Sequence, residues 1–426
     1  MCEISESTSG AKNHVYPTTT ATATVISPAI RRRALMRNLR IALLWVVVAL
    51  LVTAYAFSRP LHDFVEYWTA AHLLLAGKNP YSLSEMFKMQ QALGWRDSIP
   101  LMFLSPPWSL SILAPLGLAK SYAIAWVGWV TILTIAVAFS SRLLMDLYFG
   151  DVRIPEISDT TLNRCLFAFT FYPVLLCLKF AQTAPLMLLG VAGFLHFESK
   201  RRPVVAGTLL SITLIKPHLL YLVWLAVLFW SWQQRRWKTV ASAVGFTTLL
   251  TAIVLLLDPQ VCRHYWELAS GPYLQAYPSG IAALVRKLLG GVGTFWIQFI
   301  PPSIGLIWFA AFWWRHHMNW SWFEQMPMLV TISVLTSAYG WHFDQTLLAL
   351  PVIALAGKRA KALGRLPLNL VILYTALNVV LMLLWPFPSL ALVPAPVLIA
   401  VLLFRDERAG IAYLSGERFR DAGESE

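Results

Sequence analysis

The sequence predicts an all-α, polytopic membrane protein, and three observations carry that reading. Of its 426 residues, 58% are hydrophobic and 13% charged, about half the charged share of a soluble domain. Apolar runs long enough to cross or nearly cross a bilayer recur along the chain, as in Ile41–Phe57 (IALLWVVVALLVTAYAF) and Val240–Leu257. The basic residues gather in short links between these runs, at Arg31–Arg40, Ser199–Pro203, Gln233–Trp237 and Gly357–Arg365, as cytoplasmic loops do. The net charge of +13 therefore reports topology. No basic stripe interleaved with aromatics suggests a nucleic-acid partner.

Residues 1–40, rich in Ser, Thr and Ala at their start, are expected to form a mobile cytoplasmic tail. The apolar run from Ile41 begins too late for a cleavable leader and reads as an uncleaved signal anchor. It opens a membrane domain expected over 41–404. The first helix emerges on the outer face near Ser58, leaving 58–104 as a long outer loop. Later spans are expected near Leu162–Leu178, Pro185–Phe197, Val204–Ile215, Leu219–Trp232, Thr239–Leu257, Thr294–Trp314, Phe323–Tyr339, Thr346–Ala356, Leu366–Trp385 and Leu390–Phe404. With Tyr122–Phe139 and the first run the total is about twelve, and 405–426 is a second cytoplasmic tail. Ser105–Ala119 carries Pro106, Pro107 and Pro115 and is read as a short or re-entrant outer segment, because a full crossing there would turn the later basic loops outward. Cys2, Cys165, Cys177 and Cys262 lie far apart and support neither a zinc site nor a disulfide framework. No metal ligand cluster and no cofactor are expected.

This topology sends most of the polar chemistry to one face. Asp63 and Glu66 are three residues apart and share a helix face. A partly desolvated carboxylate there can act as a general base on an alcohol, or it can simply end the first helix. Lys216 stands where Pro217 interrupts an apolar run. With His218 it could bind a lipid phosphate, or snorkel to headgroups. His342 and Asp344 flank Phe343, as a hydrogen-bonded pair in a cavity or as part of an interfacial cap with Tyr339 and Trp341. Arg286 and Lys287 lie in a short amphipathic stretch, GIAALVRKLLGG, facing a phosphate or anionic lipid. Gln182 is a candidate hydroxyl binder. There is no P-loop, GxSxG, HExxH or DxD pair, so a soluble nucleotide-sugar transferase or an ATP-driven pump is unsupported.

An Asp just beyond the first helix, then YWTAAHLLLAGKNPY, then SPPW opening an apolar segment, resembles the start of the membrane-embedded GT-C glycosyltransferases. The match in motif order is to glycosyltransferase family 87, the polyprenyl-phosphate-mannose-dependent α-mannosyltransferases, and it continues through Gln182, Lys216–Pro217 and the pair His342 and Asp344. The resemblance runs from about Asp63 to Leu350. It implies a multi-pass enzyme of the cell membrane that takes a hexose from a polyprenyl-phosphate carrier on the outer face and attaches it to a lipid-linked or glycan acceptor. It makes Asp63 the catalytic base and places Lys216, with His218 and Arg286, at the donor phosphate; the full hypothesis adds His342 to that group. Glu66, Tyr67, Tyr81, Gln182 and Asp344 complete the expected substrate-binding set. Two features depart from the family pattern: Ala184 stands where an Asn often follows the Gln, and Glu66 has no counterpart.

The chemistry is self-consistent. Displacement at the anomeric carbon needs a base for the incoming hydroxyl and stabilisation of the leaving phosphate. Phosphate is already a good leaving group, so one carboxylate suffices, unlike the two of a glycosidase, and a single displacement inverts configuration. Two rivals remain at this point: a transporter of a lipid-linked sugar, and a non-catalytic subunit of an envelope-glycan assembly machine.

Overall fold

The computed structural model describes residue 61 and residues 63–150, 161–273, 280–290 and 293–423, with the side chains of 161 and 409–423 excepted. All the elements below belong to one compact unit, Leu50–Glu426. The expected amino-terminal tail and the Ile41–Phe57 span lie outside the described residues. Every regular element described is helical. The helices are α1 (Phe64–Leu75), α2 (Leu83–Ala92), α3 (Pro107–Leu113), α4 (Tyr122–Tyr148), α5 (Tyr172–Phe180), α6 (Ala184–Ser199), α7 (Pro203–Ser211) and α8 (Tyr221–Gln234). They continue with α9 (Trp237–Leu257), α10 (Val261–Ser270), α11 (Ile281–Leu289), α12 (Ile300–His316), α13 (Trp322–Thr336), α14 (Ala349–Leu363), α15 (Leu368–Leu383) and α16 (Pro394–Gly423). Short helices and 3₁₀ turns join them.

Four stretches are long and apolar enough to cross a membrane: Tyr122–Tyr148, Trp237–Leu257, Phe295–Asn319 and Pro388–Arg408. Leu162–Thr170 and Tyr172–Phe180, bent by 84°, make a fifth if they form one crossing. This is a polytopic membrane protein, but fewer of its helices reach full length among the described residues than the expected number of about twelve. The physical reason is proline. Pro173, Pro185, Pro203 and Pro217 each sit at the first positions of a new helix, where a missing N–H does no harm, and so divide long apolar runs into short pieces. Pro107–Leu118 is likewise a short apolar element. At ~1.5 Å per residue it falls well short of a ~30 Å bilayer core, in keeping with the short segment expected at Ser105–Ala119. The Thr346–Ala356 span begins later than expected: His342–Leu348 is a 3₁₀ turn, and α14 runs on into the basic link as far as Leu363. The last helix also continues past Phe404 to Gly423 without a break.

The segment 63–104, expected as an outer loop, is a built structure. Ser82 caps α2 by accepting from the Glu85 N–H at 3.4 Å, a Ser-x-x-Glu start. Buried Gln90 clamps the following loop, donating to the Leu101 carbonyl at 2.7 Å and accepting from the Leu101 N–H at 2.9 Å. The core centres on α6 and α13, which are buried along most of their length. The peripheral helices α9, α12 and α15 instead leave large apolar side chains exposed, among them Leu249, Leu256, Ile304, Ile307, Ile372 and Leu383, as lipid-facing helices do. At the far end of α14 the charged groups pair off. Arg359 donates to Asp406 at 2.7 Å, Lys358 pairs with Glu324, and His316 approaches Glu407 at 3.2 Å.

Helices α7 and α9 pack closely because Gly207 has no side chain. A Cβ there would collide with the Thr239 carbonyl oxygen and Ser242 Oγ. Backbone cannot step aside as a flexible side chain can. Gly207→Ala is therefore expected to destabilise the protein by about 1–3 kcal/mol, read as a lowered thermal midpoint in detergent.

Candidate active site

A cluster of polar side chains joins the start of α1, the turn after α5, the break between α7 and α8, and the 3₁₀ turn before α14. Each is held there by local backbone geometry. Asp63 precedes α1 but makes no side-chain cap, so its carboxylate is left to point elsewhere. It accepts from Gln182 Nε2 at 3.0 Å. Helix α5 ends with Ala181 left-handed at φ 54°, Gln182 N–H bonded to the Cys177 carbonyl and Ala181 N–H bonded to that of Leu178. This pairing is a Schellman ending in which alanine occupies the position usually taken by glycine. The strain, about 1–2 kcal/mol, is held by Trp129, whose indole N–H donates to the Ala181 carbonyl at 2.8 Å.

The turn delivers Gln182 to the middle of the cluster. Its Oε1 accepts from the Tyr67 hydroxyl at 2.5 Å and from Lys216 Nζ at 3.2 Å, while its Nε2 serves Asp63. Donor and acceptor ends of the amide are thereby fixed. Lys216 lies between two 3₁₀ turns, Ile212–Ile215 and Pro217–Leu220. Its ammonium bonds Asp344 Oδ1 at 2.8 Å and lies 5.2 Å over the Phe343 ring. Asp344 accepts from the Trp341 N–H through its other oxygen at 2.9 Å. The side chains of Lys216 and Asp344 are 13% and 2% exposed, so this ion pair is buried.

Burial pushes the Asp63 carboxyl up to about 6, against the Gln182 hydrogen bond and the Lys216 charge, which pull it down. Burial also pushes Glu66, with the neighbouring Asp63 charge adding to it, up to about 8. At neutral pH Asp63 is then the ionised member and Glu66 holds its proton. The sign for stability follows. In the unfolded chain both groups release their protons near ordinary carboxyl values, so between those values and 6 to 8 the folded state binds more protons. Their contribution favours folding at low pH and is lost as pH rises through the folded values. Thermal midpoints are expected to fall from about pH 5 to about pH 9, and Glu66→Gln is expected to flatten that fall.

The other expected residues are placed as follows. His218 packs its ring 5.9 Å from that of Tyr339, and burial lowers its pKa to about 4. Arg286 is 2% exposed and lies 5.5 Å over the Phe295 ring, on the inner side of α11, while Lys287 is exposed. Tyr81 donates to the Ser105 carbonyl at 3.0 Å. Its ring faces Phe103, which in turn packs on Tyr67, so Tyr81 supports the cluster from behind. His342 lies against Phe180 and Trp385, with both ring nitrogens buried and unpartnered. No group of three or more potential metal ligands occurs among the described residues. Trp129 and Trp385 were not anticipated, and Phe343 was expected only in an interfacial cap. The Trp385–Pro388 break, where an apolar run stops at proline, is the signal that marks Trp385; Trp129 lies inside α4 with no such break beside it.

The sequence profile of glycosyltransferase family 87 matches residues 103–386, two-thirds of the chain. The chain belongs to glycosyltransferase family 87. No curated protein matches the chain, and no solved structure does. The family assignment makes the protein a membrane glycosyltransferase, with a sugar donor and an acceptor as its substrates. The matched region contains Gln182, Lys216, Arg286, His342, Asp344 and Trp385. Asp63, Glu66, Tyr67 and Tyr81 precede it. The hydrogen bonds from Gln182 to Asp63 and from Tyr67 to Gln182, with that from Tyr81 to Ser105, are among those that tie the residues before 103 to the family 87 region.

Proposed function

We propose that this family 87 enzyme is a GT-C type hexosyltransferase that takes its sugar, mannose by the resemblance, from a polyprenyl-phosphate carrier. It passes the sugar to a glycolipid or glycan acceptor at the outer face of the cell membrane. The single observation that carries this reading is the Asp63–Gln182–Lys216–Asp344 chain of hydrogen bonds at the broken ends of apolar helices, where a lipid-borne substrate arrives.

In the reaction the acceptor oxygen attacks the anomeric carbon. Its proton passes to Asp63, and the bond from that carbon to the phosphate oxygen breaks with its electron pair leaving on phosphate. Gln182 fixes the direction of the Asp63 carboxylate. Burial raises its basicity to a value suited to taking a proton near neutrality. Lys216 already has Asp344 as its anionic partner, so here it serves as the anchor that orients Gln182. Because Asp63 acts as the ionised form, transfer is expected to rise as pH increases through about 6, and a pH–rate profile checks this.

The donor is tested with purified protein in proteoliposomes, offered either a prenyl-phosphate hexose or the matching nucleotide sugar. Labelled product is expected from the first alone. Transfer from the nucleotide sugar, with the prenyl-phosphate sugar inert, overturns the reading.

A further inference from the structure

Asp63 and Tyr67 stand four residues apart at the start of α1 and so share one face of that helix. The Gln182 amide bridges them: its Nε2 donates to Asp63 Oδ2 at 3.0 Å, and its Oε1 accepts from the Tyr67 hydroxyl at 2.5 Å. Lys216 also donates to Oε1, at 3.2 Å, but its ammonium lies closer to Asp344 Oδ1, at 2.8 Å. The Tyr67 bond is the shortest of the four. The turn after α5 fixes the backbone of Gln182, yet rotatable side-chain bonds separate that backbone from the amide. The orientation of the amide is therefore set by what the amide itself touches.

That orientation matters because a second acid is at hand. Glu66 precedes Tyr67 on α1, and burial pushes both it and Asp63 up. Gln182 does most to bring Asp63 back down, whereas for Glu66 that group is Lys216. An amide turned end for end would present a carbonyl oxygen to Asp63 and favour its protonated form. Tyr67 is 1% exposed, and its ring packs edge-on against Phe103 at 6.1 Å. Phenylalanine would serve that contact as well; only the hydroxyl reaches Gln182. A phenol that donates to Oε1 also polarises the amide and strengthens the N–H bond that Asp63 accepts.

We propose that Tyr67 is a positioning residue, whose hydroxyl holds the N–H end of the Gln182 amide on Asp63 and so selects Asp63, rather than Glu66, as the proton acceptor. The proton-accepting role rests on the transfer reaction above; the hold on the amide does not. Tyr67 then acts through Gln182 and not by touching the sugar. Its loss changes the range of pH over which Asp63 is ionised, a signature that a simple loss of packing does not carry.

The test titrates the Asp63 carboxyl by infrared difference spectroscopy in nanodiscs, its C=O band being the one that Asp63→Asn removes, and follows transfer over the same pH range. Tyr67→Phe is expected to raise the Asp63 midpoint, about 6 in the native protein, by about one unit. Transfer is then expected to fall about tenfold against the native protein below about pH 6 and to recover above about pH 8, with KM little changed. Placing 3-fluorotyrosine at position 67 keeps the shape and strengthens the donor, and is expected to move the midpoint down. In a Gln182→Met background, Tyr67→Phe is expected to move neither midpoint nor rate further. An Asp63 midpoint that stays put in a folded Tyr67→Phe protein, or with 3-fluorotyrosine where that variant does not fold, overturns the proposal. So does a Tyr67→Phe effect that survives in the Gln182→Met background, or a transfer deficit equal at every pH. A midpoint that moves while transfer keeps its pH profile upholds the hold on the amide and contradicts Asp63 as the base.

Discussion

Asp63→Asn is expected to lower sugar transfer by about 10²- to 10⁴-fold while the protein remains folded. Asparagine keeps the size of the side chain and an oxygen that Gln182 Nε2 can still bond. What it loses is the ability to take a proton from the incoming hydroxyl. Glu66→Gln separates the two acids, because Glu66 already carries its proton at neutral pH; its effect on the neutral-pH rate is expected to be far smaller. Initial rates of product formation, compared at matched size-exclusion profiles, decide between them. Full transfer by a folded Asp63→Asn protein removes Asp63 from the base role.

The second large effect concerns stability. Asp344→Ala leaves the Lys216 ammonium buried with the Gln182 amide oxygen and the Phe343 ring but without its carboxylate. Breaking a buried ion pair from one side costs about 3–5 kcal/mol. The same change removes the acceptor for the Trp341 N–H. A lowered thermal midpoint and a lost ligand-free monodisperse peak are expected. The double variant Lys216→Met with Asp344→Leu, which removes both charges, is expected to recover part of the stability and none of the activity. If Asp344→Ala unfolds at the wild-type midpoint, the pair is not the brace described.

The membrane architecture was readable from composition and loop charge because apolar length and basic links are local properties. The short proline-broken pieces were harder. The apolar run Leu162–Leu178 reads as a single span, yet it bends by 84° between Leu162–Thr170 and Tyr172–Phe180, and a hydrophobicity pattern does not register direction. The site was partly legible for a similar reason. Lys216–Pro217 and Gln182 stand at visible breaks, and a charged or amide side chain at the end of an apolar run has few inexpensive places to go. The partner of Lys216 was not legible. Asp344 was paired in sequence with His342 two residues away, but its carboxylate turns to a lysine 128 positions earlier, while His342 turns to Phe180 and Trp385.

The stereochemistry of transfer tests the single-base displacement most directly. A prenyl-phosphate hexose of defined anomeric configuration is converted by the wild-type protein, and the new linkage is assigned by the one-bond carbon–proton coupling at its anomeric position. Inversion is the expected result, because one carboxylate and one leaving phosphate allow a single displacement. Retention requires a second nucleophile on the protein and would contradict the role given to Asp63.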